Sequence, residues 1–459
     1  MTDAGAKLRP RKRSRPSKTA EELLKSAKRL WTEGGDLARV EELLRESIDG
    51  AVAADEFHND HTDKESIRVA VAEATDALAL LCAQSNDANK RDEATRLMQS
   101  ENYIARLSSE VLWYSSTSNN SNNNSNKTSS NSNDSTITQE DLFCLPLRVI
   151  DQALPQACLL SLQQSFCSEN CDYWTAHNYS VYPPSPYFSY VAPLPRSSDR
   201  GRMTLAGPLG ELIDTVRRHA EANFDGVEVA RFAEVWAHRR PHCSGHQLHF
   251  DSDNEGIGGA ASIRNPLVSA VCYLTEEGLG GPTLVTDQCL GDRGLAQNGW
   301  LAFPKLNRLV LFDGQVLHGV IPGRGYPTVK SSSSHHKKRV TVMVALWDDI
   351  RIRHGDVPGA ARPMPLTSAT AHTNTLPNAE GSPPRIPKWA YDLCGDGGGR
   401  GEPGRVPSQT VSLNTESAAP AENSLLAAPV YVSNVWTRLN GKPLDDGETP
   451  HYNRVFQGF

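Results

Sequence analysis

Gly245 to Asp253 reads GHQLHFDSD, and the spacing inside this stretch decides how the chain is read. His249 and Asp251 lie two residues apart, so on a β-strand both side chains leave the same face. An imidazole and a carboxylate converging from one face supply two adjacent positions in a metal's coordination sphere. A second histidine, His318, follows 67 residues after Asp251 in LFDGQVLHGVIPG, just beyond an apolar run. Two histidines and one carboxylate form the facial set that leaves three cis positions open on Fe(II). Zinc would favour three ligands and a water, with thiolates or a third histidine as its commoner partners. His246 and Asp253 offer alternative ligands within the same stretch.

Working outward, short β-branched and aromatic runs dominate: Val227–Trp236, Leu267–Leu274, Thr283–Val285, Trp300–Phe303, Leu309–Phe312 and Val340–Trp347. Gly, Pro, Asn or Asp separates them, which predicts an antiparallel sandwich or barrel. A helix is expected over Leu209–Asn223. The sequence GGPT at Gly280–Thr283 follows a strand carrying Tyr273, and Arg339 opens the last strand, RVTVMVALW.

In this order (HxD, a Tyr-Leu pair ending a strand, GG-x-T, a strand then His, a basic residue opening a strand) the segment from about Val227 to Trp347 resembles the catalytic core of the prolyl-hydroxylase-like 2-oxoglutarate/Fe(II) oxygenases. Glu234–Trp347, with EVWAHRRPH and GHQLHFDSD, resembles an Fe2OG dioxygenase domain-containing subgroup. The resemblance implies a mainly β catalytic domain, a double-stranded β-helix (jelly roll) with flanking helices, and a metal between the two sheets near one open end. It makes His249, Asp251 and His318 the iron ligands, in preference to His246 and Asp253. Arg339 would pair with the distal carboxylate of 2-oxoglutarate, a task suited to a planar guanidinium that keeps its charge when buried. Tyr273 would donate to the same carboxylate, and Thr283 would line the pocket. Thr341, two along from Arg339, shares its face.

Arg339 stands 21 residues after His318, further than the family's usual gap. The polar loop Tyr326–Lys338 accounts for the excess. Arg324, six after His318, is the competitor, but it sits among glycines whereas Arg339 opens an alternating apolar strand. His238 and His242 are expected to make hydrogen bonds near the site mouth, His335 and His336 to lie exposed on the loop, and Cys243 to be a small buried thiol.

The activity implied is an oxidoreductase, a hydroxylating dioxygenase. It would use Fe(II), 2-oxoglutarate as co-substrate, O2, and ascorbate to keep the iron reduced. Two other classes stay open: a catalytically silent jelly roll used for binding, and a zinc- or manganese-dependent hydrolase or isomerase on a cupin-like barrel.

The rest of the 459 residues is organised around this core. Hydrophobic residues make up 38%, a low share that long polar stretches explain. Residues 1–18 carry a basic run from Lys7 to Lys18, read as a solvated tail or a nuclear-import signal. Residues 19–110 show helical spacing (Leu23, Leu24, Ala27; Val40, Leu43, Leu44; Ala74, Ala77, Leu78), and the two hairpins resemble tetratricopeptide repeats. This small all-α module is expected to bind a protein partner. Residues 111–140, rich in Asn and Ser, read as a disordered linker. The oxygenase domain is expected over 141–350, with its core at 227–350. Residues 351–459 are expected to be mostly disordered, with Val430–Leu439 docking back as a strand.

A net charge of -7 gives no general attraction to nucleic acid or an anionic membrane. The helical module points to a protein or peptide substrate. No apolar run reaches about 18 residues, and the N-terminus lacks a secretory signal's apolar core. Nine cysteines at irregular spacings make no disulfide framework. Together these predict an intracellular protein, cytoplasmic or nuclear.

Overall fold

The computed structural model describes residues 19–55, 61–101, 103–114, 145–168, 171–181, 188–195, 205–253, 263–292, 294–327, 338–353, 361–365, 387–394 and 424–439. The basic run, the Asn/Ser-rich stretch from 115 and the loop histidines His335 and His336 lie outside them. The chain divides into two compact units, Met1–Glu101 and Asn102–Phe459.

The first unit holds α1 (Ala20–Thr32), α2 (Leu37–Asp55), α3 (His61–Ala83) and α4 (Ala88–Ser100). Thr19 starts α1 with a capping box: its hydroxyl accepts from the Glu22 amide while the Glu22 carboxylate accepts from the Thr19 amide. Such reciprocal caps satisfy two amides that the first helical turn leaves unpaired. Leu23, Leu24, Ala27 and Trp31 then bury one face of α1, against Val40, Leu43 and Leu44 of α2. Arg45 pins α2 to α4 by pairing with Glu93, and also bonds Glu41 one turn back. Among the described residues no helix is long and apolar enough to cross a membrane.

The second unit is mainly β with several helices. Its strands, in chain order, are β1 (Ala105–Leu107), β2 (Leu147–Asp151), β3 (Tyr190–Pro193), β4 (Phe232–Pro241), β5 (His246–His249), β6 (Val268–Tyr273), β7 (Thr283–Cys289) and β8 (Gly299–Ala302). They continue as β9 (Arg308–Asp313), β10 (Val316–Val320), β11 (Lys338–Trp347), β12 (Arg362–Pro363), β13 (Leu425–Ala427), β14 (Val430–Val432) and β15 (Trp436–Arg438). Eight form one sheet in the order β12-β3-β4-β11-β6-β9-β2-β13, and five form another, β14-β8-β7-β10-β5.

Side chains alternate across each strand, so the large sheet has two different faces. Val340, Val342, Val344 and Leu346 of β11 join a core cluster with Leu209, Leu212, Ile213 and Val216, from the helix Gly207–Asn223. The opposite face packs toward the small sheet, where Tyr273, Val310 and Phe312 meet Val285, Trp300 and Val316. Arg339, Thr341 and Met343 lie in this second phase of β11, which brings them to the interior between the sheets.

Three expectations are corrected. The run expected as a strand from Val227 becomes extended only at Phe232, after a short helical turn over Val227–Val229. The helical reading of 19–110 fails at its end. Ala105–Leu107 is a strand because all three side chains are buried and its backbone pairs with β15, and it belongs to the second unit. The C-terminal region also contributes more than Val430–Leu439. Lys388–Cys394 is a helix that buries Trp389, Ala390, Leu393 and Cys394 in the core, and Leu425–Ala427 adds β13 beside β2. Too few apolar residues mark these pieces for a periodicity to show, and tertiary packing supplies the order.

Candidate metal centre

β5 and β10 pair antiparallel with His249 and His318 in register, and β10 also pairs with β7 on its other side. Residues directly opposite share a face, so the two imidazoles meet with ring centroids 4.3 Å apart. Asp251 follows just past the end of β5. Its Oδ1 stands 3.4 Å from His249 Nε2 and 3.7 Å from His318 Nε2. One donor atom from each of the three residues falls within 4.8 Å of the others, the one such cluster among the described residues.

The surrounding bonds orient the three donors. His249 Nδ1 donates to the Gln247 carbonyl at 2.8 Å, and His318 Nδ1 donates to the Val316 carbonyl at 3.0 Å. Both rings turn Nε2 toward Asp251. Ser269 donates its hydroxyl to Asp251 Oδ2 at 2.6 Å, and Asn265 donates to the Asp251 carbonyl at 2.6 Å. Oδ1 is left for the cluster. Burial pushes His318 down to about 4, against the opposing pull of the Asp251 charge, so its imidazole is neutral at physiological pH. Burial alone would raise Asp251, but His318, His249 and the Ser269 hydroxyl outweigh it and hold the carboxyl well below the usual range.

Arg339 is 3% exposed, and its Nη1 donates to the Gly281 carbonyl at 3.1 Å. Its Nε is buried with no partner, and no carboxylate pairs with it among the described residues. The GGPT turn fits over it. Gly280 has φ +75°, and a Cβ there would stand 2.8 Å from Arg339 Cδ. Tyr273 is fully buried, with its hydroxyl 2.6 Å from that of Thr283. Thr341 stands between Tyr273 on β6 and His238 on β4.

Arg324 is placed elsewhere. Its guanidinium lies over the rings of Trp113 and Tyr114, and its amide donates to the Tyr114 hydroxyl. Phe303 meets Tyr114 edge-on. His242 accepts from the Gly280 amide at Nδ1 and donates from Nε2 to the Arg324 carbonyl. His238 is half-buried, with the Tyr179 hydroxyl 3.4 Å from its Nδ1. Cys243 is buried, and burial pushes its thiol up to about 12. His246 and Asp253 stay outside the cluster. Arg240 donates to His246 at Nδ1, and Asp253 accepts from the Arg264 amide.

Sequence reasoning missed Ser269 and Arg240. Ser269 shares its strand phase with Val271 and Tyr273, so a lone hydroxyl in the interior phase of an apolar strand was the available signal. Arg240 shares the phase of His238 and Trp236 on β4 in the same way.

The donor set suits a divalent ion that accepts nitrogen and oxygen ligands, and Arg339 suits an organic anion beside it. No family model matches the sequence, and no curated protein matches it. Solved structures do. A Pseudomonas putida prolyl-4-hydroxylase is 17% identical and covers 47% of this chain and 97% of its own, at a TM-score of 0.29. HygX from Streptomyces hygroscopicus, with nickel and 2-oxoglutarate bound, is 12% identical over 48% of this chain and 92% of its own, at 0.27. The non-heme alpha-ketoglutarate-dependent epimerase SnoN from nogalamycin biosynthesis is 12% identical over 49% and 91%, at 0.28. These structures each match just under half of this chain at low identity.

Proposed function

We propose that the second unit is an iron(II)- and 2-oxoglutarate-dependent dioxygenase on a double-stranded β-helix, and that it hydroxylates a protein or peptide substrate. The observation that carries this reading is a pairing: three metal donors converge within 4.8 Å, and the same interior holds a buried guanidinium that lacks a carboxylate. A purely structural arginine at that depth would be matched by an acid, because an unpaired buried charge is costly.

His249, Asp251 and His318 would hold the metal, each imidazole through Nε2 and the carboxylate through Oδ1. Ser269 keeps the carboxylate from rotating, and the Gln247 and Val316 carbonyls keep the rings in the binding tautomer. When bound, iron(II) with 2-oxoglutarate supplies the dioxygen chemistry that oxidises a C–H bond. Arg339 would neutralise the distal carboxylate of 2-oxoglutarate, with Thr283, Thr341 and the Tyr273 hydroxyl alongside. Phe312, whose ring lies 4.6 Å from that of His318, and Met343 shield this interior from water. The first unit is proposed as a protein-binding surface. The protein is read as intracellular, with ascorbate as the reductant that maintains the iron.

An anaerobic absorbance titration tests the assignment. Fe(II) and then 2-oxoglutarate are added to metal-free protein, with His318→Ala alongside. A weak visible charge-transfer band needing both additions, and absent from the variant, is the expected result. A folded protein that takes up metal yet shows no band would refute the reading.

A further inference from the structure

Arg240 of β4 and Arg339 of β11 stand directly opposite each other in register. Opposed residues share a face, and like charges placed so repel. Both are buried, Arg240 at 9% exposure and Arg339 at 3%. Burial draws the pKa of each below the usual arginine value, and no carboxylate pairs with either among the described residues. Arg240 donates from Nη1 to the Gly245 carbonyl at 3.1 Å and from Nη2 to His246 Nδ1 at 2.9 Å. Its Nε is buried with no partner. The two bonds brace the turn between β4 and β5, a task that a neutral donor could also perform. They leave the charge and the Nε hydrogen without a counterpart.

The neighbours add donors. A guanidinium can only donate, so His246 accepts at Nδ1 and carries its proton on Nε2. The Arg239 amide donates to the Tyr179 oxygen at 3.0 Å, and that hydroxyl lies 3.4 Å from His238 Nδ1. The rings run in series toward the metal donors, His238 to His246 at 5.2 Å and His246 to His249 at 4.7 Å. A second guanidinium and the His246 N–H thus gather beside the cluster, whose one carboxylate among the described residues, Asp251, is already bonded to Ser269. Donors without an acid, withdrawn from water, are complementary to an anion.

We infer that Arg240, with His246, forms a second anion subsite, and that the substrate carries an acidic group, a carboxylate or a phosphate, which docks there beside the metal. This rests on the dioxygenase reading, in which Arg339 is occupied by 2-oxoglutarate.

Calorimetric titration of the Mn(II)- and 2-oxoglutarate-loaded full chain with inorganic phosphate, and separately with acetate, tests it. Arg240→Met, Arg240→Lys and Arg339→Met are run alongside. The unmodified protein should bind at least one anion, and the tighter of the two identifies the acidic group. R240M should weaken that binding at least tenfold while holding metal and 2-oxoglutarate within threefold, and R240K should retain the anion. Three outcomes overturn the subsite: neither anion binds the unmodified protein; R240M binds it equally, which places the anion on the metal; or R240M loses 2-oxoglutarate as R339M does, which gives both arginines to the co-substrate. An unmodified protein that takes up Mn(II) but not 2-oxoglutarate would instead bring down the dioxygenase reading itself, and the subsite with it.

Discussion

Ser269 donates to Oδ2 of Asp251 at 2.6 Å, and this one bond decides which carboxylate oxygen faces His249 and His318. The serine comes from β6 in the large sheet, whereas the two histidines sit on paired strands of the small sheet. The candidate metal site therefore draws on both sheets, and its geometry depends on how the two sheets are spaced.

Ser269→Ala should lower divalent metal affinity by roughly 10- to 100-fold, the usual effect of removing a hydrogen bond to a ligand. The fold should survive, since a buried alanine suits an apolar strand. A competition titration with Co(II) under nitrogen reads the change. An affinity equal to that of the unmodified protein would mean that Asp251 is oriented by other contacts.

Gly280→Ala targets the anion pocket without touching the metal ligands. Its φ of +75° costs an alanine about 1 kcal/mol, and the new Cβ would press on Arg339 Cδ from 2.8 Å. The guanidinium must move, so 2-oxoglutarate affinity should fall about tenfold or more while metal affinity holds. Parallel titrations separate the two, and equal losses of both would show a general collapse instead.

The metal-free protein should lose stability as pH falls from 7 toward 5. His318 titrates at about 4 when folded and near 6.5 in its ordinary state, so between those values the unfolded chain binds the extra proton. Stability then declines as pH drops through this window, by up to about 3 kcal/mol for this one group. Burial shifts His238 and His246 in the same direction. Asp251, held below its usual range, adds its loss only at lower pH. Urea unfolding at pH 7 and pH 5 measures the slope, which His318→Asn should flatten. Equal midpoints at both pH values in the unmodified protein would contradict this account.

Trp389→Ala should destabilise the second unit by about 3–5 kcal/mol. The indole is 2% exposed and packs against Tyr173 and Tyr190 at ring distances of 5.2 and 4.9 Å. Chemical denaturation checks it. A change below about 1 kcal/mol would show that the helix Lys388–Cys394 sits on the core without supporting it.

The candidate metal donors His249 and Asp251 were legible because their chemistry is local: a two-residue spacing keeps an imidazole and a carboxylate close, and they stay adjacent although β5 ends at His249. The strands from Leu267 to Trp347 were legible because their apolar runs are dense and bounded by turn residues. Arg339 could be preferred to Arg324 from its place at the head of an alternating strand; Arg339 is buried, and Arg324 stacks on Trp113 and Tyr114. What escaped the sequence depends on distant partners. Ala105–Leu107 is too short to carry a pattern and is a strand only because Trp436–Arg438 lies beside it. Trp389 stands within a tract dominated by Pro, Gly, Ser and Thr, and its burial follows from aromatic neighbours more than 190 residues earlier. Ser269 and Arg240 differ from their neighbours in polarity alone, so their tasks emerge only when strands are paired.

The pairing of β1 with β15 has a consequence for how the protein is made. About 330 residues separate the two strands, and synthesis at 5–20 residues per second takes roughly 20 to 60 s to cover that distance. Throughout that interval the backbone of Ala105–Leu107 is on the ribosome without its hydrogen-bonding partner, a bare edge of the kind that recruits other chains. The β1–β15 pair cannot form until Trp436–Arg438 has emerged, so this pairing waits for synthesis to reach that strand.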